Sequence, residues 1–293
     1  MKLLHDSVVA LITPFTSEDK IDFQVFEKLL EFHLNNQTAG IVVAGTTGEA
    51  ATLSLKEKLL LLEVACKVVK NKIPIVFGSG GNNTAEVVEL SKSAEKHPID
   101  GLLIVNPYYN RPTQEGIYQH YQKISQNIAL PIYIYNVPSR TGSDITLETI
   151  YRLAELKNVK GIKDAVADLS RPYKIRKHLG NDFILLSGED ETFLSYRIAG
   201  GNGCISVSAN IIPKLCQEIH KLFNNNQIKE ATALQTHLIS LHGVLFCESN
   251  PTPVKYALSL LNLAKETSRL PLVPLAASNK EKVASLMKDL KLI

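Results

Sequence analysis

The run Pro131-Ile132-Tyr133-Ile134-Tyr135-Asn136 is followed by a stretch of helical spacing and then by Val159-Lys160-Gly161-Ile162-Lys163-Asp164. Each run is short, rich in β-branched or aromatic residues, and bounded by Pro, Asn or Asp, which reads as a strand. The gap between them has room for one crossover helix joining parallel strands. Working outward, the same unit recurs at 8–13, 40–44, 74–78, 101–106, 183–187 and 203–207, with starts about 20 to 35 residues apart. Most of these runs are almost continuously apolar, as expected of strands covered on both faces. Ser54 with Glu57, and Asn83 with Glu86, have capping-box spacing and predict helix starts.

Eight β–α units in series predict an α/β protein, a (β/α)8 TIM barrel closed over residues 1–226. A doubly wound sheet of eight strands is the alternative topology. Residues 227–293 carry no strand pattern and predict a C-terminal helical domain of three helices. The last has Val283, Leu286, Met287 and Leu290 at helical spacing with lysines opposite, a stripe for packing against the barrel or a second subunit.

The 293 residues can bury a large core, and 32 Lys and Arg against 29 Asp and Glu leave a formal charge of +3. That balance is too small and too evenly spread to indicate nucleic acid or an anionic membrane as partner. No apolar run approaches the roughly 18 residues of a membrane span. The start, MKLLHDSVVALITPF, is interrupted by His5 and Asp6 and runs into Pro14, so it reads as a first strand and not a signal peptide. Cys66, Cys204, Cys216 and Cys247 are scattered without a CxxC pair, which suits reduced thiols in the cytosol.

Barrel chemistry belongs to strand C-termini and the loops after them. Those positions hold Gly45-Thr46-Thr47-Gly48-Glu49, Pro107-Tyr108-Tyr109-Asn110, Val137-Pro138-Ser139-Arg140-Thr141-Gly142, Ser187-Gly188-Glu189-Asp190 and Ser206-Val207-Ser208-Ala209-Asn210. Lys163 stands out. It shares a strand face with Gly161 and Ala165, so it has room to reach into the barrel mouth. An unpartnered buried ammonium is costly, and a neutral amine is what attacks a ketone to form a Schiff base. A surface lysine at a frayed strand end fits the same spacing.

Tyr133 and Tyr135 share one face, and with Thr47 and Tyr109 they offer hydroxyls for proton relay, although strand tyrosines also serve simply as core. The glycines at 45 and 48 let backbone N–H groups converge on a carboxylate, or make an ordinary turn. Arg140 is either a carboxylate fork or a solvated loop residue.

No histidine falls at a predicted strand C-terminus, so zinc aldolase chemistry lacks its ligands. Glu189, Asp190 and Glu191 read as acidic residues favouring the start of the next helix. Gly78-Ser79-Gly80-Gly81-Asn82-Asn83 lacks the third glycine of a dinucleotide fingerprint, and there is no Walker motif. These readings predict no cofactor and no metal, and an unphosphorylated keto acid as substrate.

Taken together, these segments resemble the dihydrodipicolinate synthase family, within the class I pyruvate lyases related to N-acetylneuraminate lyase. The likeness runs from Leu11-Ile12-Thr13-Pro14-Phe15 to Asn250-Pro251-Thr252-Pro253-Val254-Lys255 and Arg269-Leu270-Pro271-Leu272. It implies that Lys163 forms an imine with pyruvate, whose enamine attacks L-aspartate 4-semialdehyde on the diaminopimelate route to lysine. Thr47, Tyr135 and Tyr109 match the proton-relay trio, with Tyr109 expected from the neighbouring subunit of a tight dimer. Thr46 and Thr47 match pyruvate-carboxylate contacts, Arg140 the arginine for the second substrate's carboxylate, and Gly188 and Ile205 pocket-shaping positions.

The resemblance further implies a cytoplasmic homotetramer built as a dimer of tight dimers, although dimers also occur in the family. Asn82, Glu86 and Tyr108 match an allosteric lysine pocket in which relatives often carry histidines; here Leu55 and Lys58 stand instead, so weak or absent inhibition by L-lysine is expected. Two other readings remain: a Schiff-base retro-aldolase of a keto-deoxy sugar acid or N-acetylneuraminate, and a non-catalytic keto-acid-binding barrel.

Overall fold

Two apolar layers explain why the strand sequences are hydrophobic on both faces. In the computed structural model, which describes residues 2–293, Val8, Val42, Val76, Leu103, Tyr133 and Leu186 point inward into one cluster. Their neighbours Val9, Ile41, Phe77, Ile104, Ile134 and Leu185 point outward into a second, larger cluster beneath the helices. A side-chain period of two, applied to every strand, generates both layers.

The strands are β1 (Asp6–Ala10), β2 (Gly40–Val43), β3 (Ile75–Gly78), β4 (Gly101–Val105), β5 (Ile132–Asn136), β6 (Val159–Asp164), β7 (Ile184–Ser187) and β8 (Gly203–Ser206). Each pairs in parallel with the next, and β8 pairs with β1 through Val8↔Ile205 and its neighbours, closing the barrel. That closing pair rules out the doubly wound alternative. The first strand begins at Asp6 and ends before residues 11–13. There the backbone N–H of Ile12 turns to Asn210 and the Thr13 hydroxyl donates to the Gly48 carbonyl.

The crossovers are α1 (Phe23–Asn35), α2 (Leu55–Val69), α3 (Thr84–Ala94), α4 (Gln114–Ser125), the short α5 (Pro138–Thr141) with α6 (Leu147–Ala154), α7 (Ser170–Leu179), α8 (Phe193–Ile198) and α9 (Pro213–Asn224). Helix α2 carries the full predicted box: Ser54 accepts from the Glu57 N–H and Glu57 from the Ser54 N–H. At α3 the box is one-sided. Asn83 accepts from the Ala85 N–H, but Glu86 takes the Asn83 side-chain amide and not its backbone.

Three helices follow the barrel: α10 (Ile228–Val244), α11 (Thr252–Leu260) and α12 (Ala277–Asp289). The stripe on α12 buries Val283 and Met287 completely, packing against α10 and α11. Among the described residues, no helix is long and apolar enough to cross a membrane.

Candidate active site

Strand register settles the environment of Lys163. It lies opposite Tyr135 of β5 on one side and Leu186 of β7 on the other, both inward-facing, so its side chain projects into the barrel. The residue is only 6% exposed, and its Nζ stands 4.3 Å from the centre of the Tyr135 ring, within cation–π range. Two glycines allow close packing here, and of them Gly188 borders the lysine chain. A side chain at Gly161 would begin 2.4 Å from the Ile184 carbonyl oxygen, and one at Gly188 would begin 2.7 Å from Ala165 Cβ and 3.1 Å from Lys163 Cε. Ile205 completes the apolar wall from β8.

Of the two tyrosines predicted beside the amine, only Tyr135 is there. Tyr133, two residues earlier, lies one layer deeper, and its hydroxyl accepts from the Leu4 N–H at the opposite end of the barrel, 3.4 Å away. Burial pushes its phenol up to about 12. It is core.

The β2 loop brings Thr46 and Thr47 to the same mouth. Thr47 is buried, and its hydroxyl oxygen accepts from the Asn250 side-chain amide at 2.9 Å. Glu49, two residues on, adopts a left-handed conformation (φ 56°) and forms a fully buried ion pair with Lys255 of α11. The Arg269 N–H also donates to Glu49, at 3.0 Å, and the Arg269 guanidinium pairs with Glu57. Burial lowers the Lys255 ammonium to about 8 against the opposing pull of Glu49. The helices after the barrel therefore fasten the threonine loop.

Arg140 sits exposed on α5, whose Pro138 start and Gly142 end (φ 71°) confine it to one turn. The loop behind it is held from three sides. Arg171 of α7 bonds Asp164 at 2.8 Å, Asp144 at 3.4 Å and the Ile145 carbonyl at 3.1 Å. The Asn136 amide donates to both Asp144 and Asp164, and Asn106 reaches Ser143. Burial raises the Asp164 carboxyl while Arg171 pulls it back. One guanidinium thus registers the Arg140 loop against the residue next to Lys163.

Tyr109 is not in the pocket of its own chain. It is 91% exposed with φ 70°, at the tip of the β4 loop beside the exposed Tyr108. The Asn82 amide donates to the Tyr108 carbonyl, and Glu86 lies on the neighbouring turn of α3. Lys58 of α2 faces that turn: burial lowers its ammonium, and the Glu86 charge opposes the shift.

The acidic trio after β7 does not start a helix as expected. The α8 N-cap is Thr192, without a side-chain bond. Asp190 instead accepts from the Ser206 hydroxyl and from the N–H groups of Val207 and Ser208 (2.8 and 3.1 Å), tying β7 to the end of β8. Asn250, Lys255 and Arg171 were missed as supporting residues. Asn250 and Lys255 stand in the segment that carries the resemblance, whereas Arg171 lies among the basic residues of α7 with nothing to single it out.

The profile of the Dihydrodipicolinate synthetase family matches residues 3–290 of this chain. A 4-hydroxy-tetrahydrodipicolinate synthase from Parvibaculum lavamentivorans is 45% identical over 291 residues, 99% of this chain and all of that one. Among solved structures, a chloride-inhibited dihydrodipicolinate synthase from Acinetobacter baumannii complexed with pyruvate is 42% identical, covering 99% of this chain and 100% of that one, with a TM-score of 0.97. The dihydrodipicolinate synthase from Cyanidioschyzon merolae with lysine bound is 35% identical over 99% of both chains, with a TM-score of 0.96.

Proposed function

The chain belongs to the dihydrodipicolinate synthetase family, and from that premise we infer that it condenses pyruvate with L-aspartate 4-semialdehyde to 4-hydroxy-tetrahydrodipicolinate. It is a lyase on the diaminopimelate route to L-lysine. The Lys163 amine attacks the pyruvate ketone and expels water to give an imine, and loss of a methyl proton gives the enamine. The enamine carbon bonds to the aldehyde carbon. The substrate's own amine then attacks the imine carbon and releases Lys163, closing the ring without a cofactor.

The observation that carries this reading is a buried amine inside the barrel, against Tyr135 and with room left by Gly188. Thr46 and Thr47 hold the pyruvate carboxylate; Thr47, Tyr135 and the Tyr109 of a second subunit relay protons; Gly188 and Ile205 shape the pocket. The full exposure of Tyr109 supports a tight dimer, two of which make a cytoplasmic homotetramer. The barrel, 1–226, carries the nucleophile, and the helical domain, 227–293, braces it.

Arg140, with no side-chain hydrogen-bond partner among the described residues, takes the carboxylate of the semialdehyde in a bidentate fork. Replacing it by alanine removes about one charge-assisted contact, so KM for aspartate semialdehyde rises about ten- to a hundredfold in a coupled assay. Imine formation with pyruvate stays intact. Equal loss of both would contradict the assignment.

A further inference from the structure

Three acidic residues follow β7, and their surroundings differ. Asp190 is committed to the β8 turn, as described above. Glu191 is exposed and lies over α10, its Oε1 2.9 Å from where a side chain at Gly243 would begin. Glu189 is half-buried, and its carboxylate has no hydrogen-bond partner among the described residues. It follows directly on Gly188, the residue packed against Lys163 Cε, so it stands at the rim of the nucleophile's pocket.

Its charged neighbours are the cations Lys163 and Arg140 and the carboxylates Asp190 and Glu191. Burial raises the Glu189 carboxyl, the two carboxylates add to the rise, and the charges of the two cations oppose it. Yet neither cation comes within ion-pair distance of it: of the ten ion pairs among the described residues, none includes Glu189, Lys163 or Arg140.

A carboxylate here works against the first substrate, because pyruvate is itself an anion and like charges in a partly desolvated site repel. Its presence is explained by a ligand that brings a positive charge to the same place. We propose that Glu189 binds the α-ammonium group of the second substrate, so that Arg140 and Glu189 together form a site for the zwitterionic head of an amino acid. The guanidinium takes the carboxylate and the carboxylate takes the ammonium, leaving the aldehyde end directed at the Lys163 enamine. This assignment rests on the reading that the second substrate is an amino-acid semialdehyde. It makes Glu189 a specificity-determining residue, selecting against semialdehydes that lack the amino group.

The test compares L-aspartate 4-semialdehyde with succinate semialdehyde, which keeps the aldehyde and the carboxylate but has no amino group. In the isosteric variant Glu189→Gln, KM for aspartate semialdehyde rises about tenfold or more, the equivalent of one charge-assisted hydrogen bond. Competitive inhibition by succinate semialdehyde is unchanged or tighter, and borohydride trapping of pyruvate on Lys163 is unchanged. An unaltered KM, or equal weakening of both aldehydes, overturns the proposal. Failure of the unsubstituted protein to trap pyruvate overturns instead the functional reading beneath it.

Discussion

The loops after β2 and β4 stand on either side of β3 and are built in opposite ways. The first is buried and cross-linked: Asn250 bonds Thr47, Lys255 neutralises Glu49, and Arg269 closes over both from the far end of the chain. The second leaves Tyr109 91% exposed, beside amide contacts among Asn82, Tyr108 and Asn110. The contrast shows which hydroxyl of the proposed relay a single chain can hold in place and which it cannot. Thr47 is held within one subunit, whereas on the proposed function Tyr109 takes its fixed place against a second subunit.

The largest effect comes from attacking the buried loop. Lys255→Met leaves the Glu49 carboxylate uncompensated in the core, a change that costs about 3–5 kcal/mol of stability. Urea denaturation checks this, and a loss within error of zero would show that the pair does not brace the loop. Tyr109→Phe sharpens the other half of the contrast. Its stability stays that of the parent protein because phenylalanine keeps the ring and removes only the hydroxyl, while the rate falls about a hundredfold, as loss of one proton-transfer group predicts. Mixing Tyr109→Phe with Lys163→Ala subunits restores activity if the tyrosine acts across chains, since one site of each mixed dimer is then complete. Mixtures as inactive as their components would place the tyrosine in its own subunit.

The smallest effect is expected at the Asn82–Glu86–Tyr108 surface. Lys58 already supplies a positive charge beside Glu86, and Leu55 offers no hydrogen bond, so added L-lysine leaves the initial rate nearly unchanged. Strong inhibition at cellular lysine levels would contradict this.

The barrel was legible because eight β-rich runs repeat with the spacing of a crossover unit, and the pattern of period two put Lys163 on an inward face. Closure itself was not legible, since hydrogen bonding of β8 to β1 leaves no mark in local periodicity. Tyr133 and Tyr135 share a face, but the sequence does not show that one layer of depth separates a core phenol from one beside the amine. Glu189, Asp190 and Glu191 look alike as letters. Their different roles come from the β8 turn, α10 and the barrel mouth, which are remote in sequence. Asn250 and Lys255 were hidden for the same reason, as each acts on a loop some 200 residues earlier.

The most direct test of the central claim is borohydride reduction in the presence of pyruvate, followed by peptide mass mapping. The account predicts a single reduced pyruvate adduct on the peptide carrying Lys163, absent when Lys163 is replaced by alanine. An unmodified Lys163, or adducts scattered over surface lysines, would contradict it.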